Sequence, residues 1–157
     1  MFARHGQLFS SGMFLLDGLL IAASWLAAYW LRFYGLGVPA PLGVPPLSFY
    51  LWVGAVLTPV ALLTLRSLRI YRSTRTARLT QELFALLQGT AIVAALAGVG
   101  SFFSRGELSR SVLLLFATLS AVSLCGAHVA IRLVLRSLRR RGQNLRHVLI
   151  VGTGDLA

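Results

Sequence analysis

The stretch VLLLFATLSAVSLCGAHVAI, residues 112–131, decides the fold class of this chain. It contains no Asp, Glu, Lys or Arg, and a helix of about 20 apolar residues spans the roughly 30 Å hydrocarbon core of a bilayer. A helix also satisfies its own backbone hydrogen bonds, which lipid cannot do for it. The stretch is therefore predicted to be a transmembrane helix.

Three more apolar windows precede it, at residues 12–34, 47–65 and 83–103. The segment GLGVPAPLGVPP, residues 35–46, holds four prolines and three glycines and is predicted to be a turn between the first two windows. The chain is 57% hydrophobic and 12% charged, with a mean hydropathy of +0.78, whereas an ordinary globular domain is about 25% charged. The predicted fold class is an all-α membrane protein with four transmembrane helices.

The arginines indicate how these helices are oriented. All fifteen basic residues are arginine, and the formal net charge is +11. Twelve arginines flank the windows on one side of the membrane, against Arg105 and Arg110 on the other side and Arg32 at its border. Because cytoplasmic loops carry the excess of basic residues, both termini are predicted to lie in the cytoplasm. The charge favours membrane lipid over nucleic acid as the partner.

Asp17 is an acidic residue inside a predicted span, about five residues from its start. A carboxylate at the bilayer centre costs roughly 2.5–3.5 kcal/mol, and intramembrane acids usually pair, so we favour a structural contact for Asp17 over catalysis. Cys125 is the single cysteine, and His5, His128 and His147 are far apart in the sequence. No metal-binding set and no catalytic residue is predicted.

Small residues recur at helical contact spacing in the last two windows. They are Ala91, Ala95 and Gly98 in the third window and the pairs Ser123 with Ala127 and Gly126 with Ala130 in the fourth. Such steps let helix backbones approach closely in lipid. A general abundance of Ala and Gly in apolar segments explains them equally well, so both interpretations stay open.

Two basic segments follow the second and fourth windows. The first, RSLRIYRSTRTARLTQE at Arg66–Glu82, has an arginine at every third position from Arg66 to Arg78, which winds the charges around a helix. We interpret it as a solvated loop near the inner headgroups, with phosphate recognition as the alternative. The second, residues 132–146, is predicted to be a cytoplasmic basic helix and linker, with Gly142 at the helix C-terminus.

The last eleven residues have a different pattern. HVLIV, residues 147–151, is predicted to be a buried parallel strand. It leads into Gly152 and Gly154 of a G-x-G-x-x-A loop, the candidate cofactor-binding residues. The predicted organisation is a transmembrane module at 1–131, the basic helix and linker at 132–146, and at 147–157 the truncated start of a Rossmann-like domain, whose helix and second strand are missing.

Four segments along almost the whole chain carry a resemblance to a known family. They are Asp17 with LRF at Leu31–Phe33, IYRSTRTARLTQELFALLQ at Ile70–Gln88, FFSRGELSRSVLLL at Phe102–Leu115, and RRRGQNLRHVLIVGTG at Arg139–Gly154. The most specific part is the R-x-x-G-x-N spacing of Arg139, Gly142 and Asn144. In these segments the chain resembles the polytopic bacterial sugar transferases, the polyprenyl-phosphate hexose-1-phosphate transferases that start exopolysaccharide and capsule synthesis.

The resemblance implies a four-helix membrane module, then a Rossmann-like domain, then a catalytic domain. Family members move a hexose-1-phosphate from a UDP-sugar to undecaprenyl phosphate with an Asp-Glu pair and Mg²⁺. The catalytic domain has no counterpart in these residues, so we expect no catalytic residue, no metal and no cofactor in this chain. The expected partners are membrane lipid, undecaprenyl phosphate and a second copy of the chain.

Two alternatives stay open. The same stretch resembles membrane-anchored NAD-dependent nucleotide-sugar dehydratases or epimerases, which also place four spans before a Rossmann-like fold. The chain could instead be a non-catalytic membrane and oligomerisation module. We prefer the transferase because of the Arg-Gly-Asn spacing and the YRSTR segment at Tyr71–Arg75.

Overall fold

In the part of the chain that the structure describes, the main elements are four long helices. The computed structural model describes residues 3–37, 43–68, 70–71, 79–103 and 108–140. The helices are α1 (Ala3–Trp30), α2 (Leu47–Ser67), α3 (Leu79–Phe103) and α4 (Arg110–Arg140), and a π-helical turn, Leu31–Gly35, continues α1. Each helix is long and apolar enough to cross a membrane. The prediction of four such helices is confirmed.

The helices form a ring in which α1 packs on α2 and α4, and α3 also packs on α2 and α4. Ser10, near the start of α1, contacts Tyr71 just after α2, and Asp17, midway along α1, contacts His128 in the second half of α4. Consecutive helices therefore run in opposite directions. This up-and-down order is typical of bundles whose helices are joined by short connections. We call the end where α1 and α3 begin the near end, and the opposite end the far end.

The far end is held by aromatic side chains and hydrogen bonds. The indole Nε1 of Trp25 donates to the Tyr50 carbonyl at 2.8 Å, and the hydroxyl of Tyr29 donates to the Pro45 carbonyl at 3.0 Å. The backbone N–H of Ser109, before α4, donates to the Tyr50 hydroxyl at 3.2 Å. Tyr50 therefore joins the starts of α2 and α4 to the end of α1.

Large apolar side chains cover the outside of the bundle. Trp52 is 76% exposed and Phe102 is 81% exposed. The buried positions include the polar residues Asp17, Ser24 and His128. A bundle that buries polar side chains and exposes large apolar ones is the arrangement expected in lipid, where apolar side chains gain little from leaving the solvent.

The helix boundaries differ from the predicted windows at the near end. Helix α3 begins at Leu79, four residues before the predicted window, so Glu82 lies inside a helix that was expected to hold no acid. Helix α4 continues past Ile131 to Arg140, which confirms the predicted helical extension as far as that residue. Hydropathy windows stop at the first charge, whereas a backbone helix continues wherever its hydrogen bonds continue.

Among the small residues that recur at helical spacing, the structure places one in a polar contact between two helices. Ser123 of α4 contacts Ser24 of α1, with 3.2 Å between the two hydroxyl oxygens. The positions that do not pack closely are Ala91, Ala95, Gly126 and Ala130, which are exposed, and Gly98, where a Cβ would meet nothing within 4 Å.

The closest approaches occur instead at two glycines that the spacing did not single out. A Cβ on Gly54 would lie 2.7 Å from Cδ1 of Trp25, and a Cβ on Gly89 would lie 2.6 Å from Cδ2 of Leu65. Gly54 lies against the Trp25 side chain, and Gly89 lies against those of Leu65 and Leu68.

Several predictions fall outside the described residues. They concern residues 72–78 of the first basic segment and residues 141–157, which include Gly142, the strand at 147–151 and the loop with Gly152 and Gly154. The Rossmann-like start and its cofactor-binding glycines therefore stay predictions.

Candidate functional site: a buried polar cluster

Asp17 lies on α1 at the near end and is completely buried. Its Oδ1 and Oδ2 lie 3.2 and 3.3 Å from Nε2 of His128 on α4. Its Oδ2 also accepts a hydrogen bond of 2.8 Å from the hydroxyl of Tyr71, just after α2. The expectation that Asp17 contacts a neighbouring element is confirmed.

His128 lies between two carboxylates. Its Nδ1 is 2.7 Å from Oε1 of Glu82 on α3, while its Nε2 faces Asp17. One turn further along α4, Arg132 donates from Nη1 to Oε2 of Glu82 at 3.3 Å. We call these five residues, Asp17, Tyr71, Glu82, His128 and Arg132, the polar cluster. They join α1, α3, α4 and the segment after α2.

Local sequence explains how each side chain reaches the cluster. His128 and Arg132 are four residues apart, so they lie on the same face of α4. Glu82 lies in the first turn of α3, where the helix dipole favours a negative charge. Tyr71 is held against α1, because its carbonyl accepts a hydrogen bond of 3.2 Å from Ser10 and its ring meets Phe14 edge-on at 5.4 Å.

Exposure decreases stepwise through the polar cluster. The side chain of Arg132 is 41% exposed and that of Glu82 is 27% exposed, while those of His128 and Asp17 are almost fully buried. Burial raises the pKa of the Tyr71 hydroxyl, as do the charge of Asp17 and the hydrogen bond to it. Tyr71 is therefore a neutral hydrogen-bond donor at physiological pH.

The proton count of the histidine follows from this geometry. A neutral imidazole has one N–H donor and one acceptor, whereas the imidazolium ion has two donors. Because both ring nitrogens face carboxylate oxygens, only the imidazolium ion donates to Asp17 and Glu82 together. Two carboxylates then balance the charges of His128 and Arg132, which limits the cost of burying them. The arrangement can bind a proton and fasten three helices.

The centre of the bundle holds a small cavity of about 10 Å³ lined by apolar side chains and by Thr90 and Ser120. Both hydroxyls already donate to carbonyls of their own helices. A cavity of this volume holds about one water molecule. It is far too small to hold a sugar nucleotide. Within the described ranges, no group of three or more His, Cys, Asp or Glu is placed to hold a metal ion.

Sequence reasoning identified Asp17 but missed the rest of the polar cluster. The wide spacing of the histidines argues against a metal site at His128 but predicts no other role for it, although an ionisable residue inside an apolar span is itself a signal for a partner at the same depth. Glu82 was counted with the loop before the third window. Tyr71 lies in the YRSTR segment at Tyr71–Arg75, whose arginines give a stronger sequence signal than a single tyrosine does.

The fold and the polar cluster define a polytopic four-helix membrane-type bundle fastened at one end by buried charges. A family model described as a CoA-binding domain matches residues 66–157, more than half of the chain. The chain belongs to this family of CoA-binding domains, which is found in bacterial sugar transferases. Neither the curated proteins nor the solved structures give a match to the chain.

The matched range contains four of the five cluster residues, and Asp17 of α1 lies before it. The polar cluster therefore joins the first helix to the part of the chain that the family model covers.

Proposed function

We propose that this chain is the N-terminal membrane module of a polyprenyl-phosphate sugar-1-phosphate transferase. Such an enzyme starts exopolysaccharide or capsule synthesis by moving a hexose-1-phosphate from a UDP-sugar to undecaprenyl phosphate. The observation that carries the proposal is the family match over residues 66–157, because the family is found in bacterial sugar transferases. The four membrane-length helices support the same assignment.

In this proposal the near end of the bundle faces the cytoplasm of the bacterial inner membrane. Arg66 and Arg136 are exposed at this end, and the side chain of Arg132 is 41% exposed. Exposed arginines are favourable beside anionic headgroups, at roughly 1 kcal/mol each, and basic residues concentrate on the cytoplasmic side.

The role of the module is to hold the following domains at the membrane. Helix α4 has 31 residues and α2 has 21, and at about 1.5 Å per residue the bilayer core is spanned well before α4 ends. The last turns of α4 therefore project from the near end and set the direction in which the chain continues. Catalysis, with its Asp-Glu pair and Mg²⁺, belongs in this proposal to a later domain.

The test compares the protein of the whole reading frame with the 157-residue chain in membranes of equal protein content. Each is mixed with UDP-glucose or UDP-galactose, Mg²⁺ and undecaprenyl phosphate, and the release of UMP is measured. We expect release from the whole protein and none from the chain alone. NAD-dependent conversion of the UDP-sugar without UMP would support a dehydratase and overturn the proposal. UMP release by the chain alone would contradict the assignment of catalysis to a later domain.

A further inference from the structure

The polar cluster places His128 between two carboxylates, an arrangement that the proposed transferase chemistry does not use. His128 is 3% exposed, and both of its ring nitrogens lie within 3.3 Å of carboxylate oxygens on two different helices. We propose that His128 is a proton-binding site that fastens α4 to α1 and α3, and that loss of this proton opens the contact between His128 and Glu82 of α3.

The charged and titratable groups around His128 come from every element that packs on it. Asp17 faces it from α1, Glu82 faces it from α3, and Arg132 of α4 contacts Glu82. Tyr71 reaches Asp17 from the segment after α2. With His128 protonated, the charges of two carboxylates, one imidazolium and one guanidinium sum to zero.

Loss of the proton leaves a ring with one donor and one lone pair. One carboxylate oxygen then faces that lone pair at 2.7 or 3.2 Å, which is repulsive. Neutral His128 keeps its donor on Asp17, because Oδ1 of this completely buried carboxylate would otherwise lose its donor while Tyr71 serves Oδ2. Glu82 is partly exposed and retains Arg132 and water as partners. The contact that opens is therefore that of Glu82 with His128, between α3 and α4.

The consequence is a hinge at the near end of the bundle. The Ser24–Ser123 contact and the aromatic far end remain to hold α4 against α1. The last turns of α4 are then less firmly held against α3, because Arg132 still contacts Glu82 but His128 no longer does. Proton binding at His128 thus sets the direction of the α4 exit.

The test measures the distance between α3 and α4 at the near end. Spin labels are placed on cysteines at Thr80 and Ser137, both exposed, in a Cys125→Ser background of the 157-residue chain in lipid nanodiscs. Pulsed EPR gives the distance distribution at pH 6 and pH 9. We expect a narrow distribution at pH 6, and at pH 9 a shift of about 1–2 Å, the size of a small helix displacement, or a clear broadening.

Two variants identify the group responsible. Glu82→Gln supplies an amide that can both donate and accept, so its contact with the ring no longer requires a second proton and the pH dependence should disappear. His128→Gln should show one distribution at both pH values. An unchanged distribution in the unsubstituted chain would overturn the proposal. An undiminished effect of pH on the distance distribution of Glu82→Gln would also overturn the proposal. This second result can be obtained even if His128→Gln does not fold. UMP release is not measured, so failure here leaves the proposed transferase role untouched.

Discussion

Replacement of Gly54 by alanine tests whether the far end of the bundle is packed as closely as the structure shows. The added Cβ would lie 2.7 Å from Cδ1 and 3.0 Å from Nε1 of Trp25, whereas carbon atoms in favourable contact are about 3.5–4.0 Å apart. The indole cannot easily move away, because it is 1% exposed, donates to the Tyr50 carbonyl at 2.8 Å and meets Phe116 edge-on at 5.3 Å.

The magnitude follows from two opposing terms. Alanine is favoured over glycine inside a helix by about 1 kcal/mol, and overpacking of a filled site costs typically about 1–3 kcal/mol. Gly98→Ala is the matched control, because Gly98 also lies inside a helix but its Cβ would meet nothing within 4 Å. The helix term is common to both variants, so Gly54→Ala should be less stable than Gly98→Ala by about 1–3 kcal/mol.

Gly89→Ala should fall between these two. Its Cβ would lie 2.6 Å from Cδ2 of Leu65, the end of a side chain that can change rotamer. The free energies of unfolding are measured by titrating SDS into the protein in mixed micelles and following far-UV circular dichroism. If Gly54→Ala and Gly98→Ala agree within about 0.5 kcal/mol, the usual error of such comparisons, the close contact with Trp25 does not exist.

Two further predictions concern a contact at the near end and the orientation of the bundle in the membrane. Tyr71→Phe removes a hydrogen bond to a charged group and should lower the free energy of unfolding by about 1.5–3 kcal/mol. In an Asp17→Asn background the loss should shrink, and equal losses in both backgrounds would contradict the contact. In a Cys125→Ser background in intact cells, an impermeant thiol reagent should modify a cysteine at Val44 and spare one at Ala77. Modification at Ala77 would reverse the proposed orientation.

The sequence was sufficient to predict the four helices, because lipid imposes one strong requirement on any segment that crosses it. About 20 apolar residues without charge must form a helix, and hydropathy measures that property directly. The helix ends were less predictable. Residues 79–82 and 132–140 are helical although they contain charges, because the charges lie where the helices leave the apolar region.

The polar cluster was only partly predictable. Its contacts depend on the depth of each residue along the bundle and on the rotation of each helix about its own axis, as well as on composition. Asp17 was evident as an acid in an apolar span, but its partners are separated from it by as many as 111 positions. Which small residues pack closely depends on the same two variables. Ala91 and Ala95 have the expected spacing yet lie on the outer face, whereas Gly54 and Gly89 face large side chains.

The position of the polar cluster also explains how a bundle in lipid can have one register. Packing between apolar helix surfaces hardly favours one register over another in lipid, because lipid chains are as apolar as leucine side chains. Sliding α4 by one turn, about 5.4 Å, would move His128 away from both carboxylates and leave Asp17 buried without its ionic partner. Removal of one partner of a buried pair costs about 3–5 kcal/mol, so the slipped arrangement is strongly disfavoured. At the far end, the hydrogen bond between Ser109 and Tyr50 fixes the start of α4 relative to α2. Polar contacts at both ends of the bundle therefore determine the position of α4 along the bundle axis and its rotation about its own axis. Apolar packing alone would leave both undetermined.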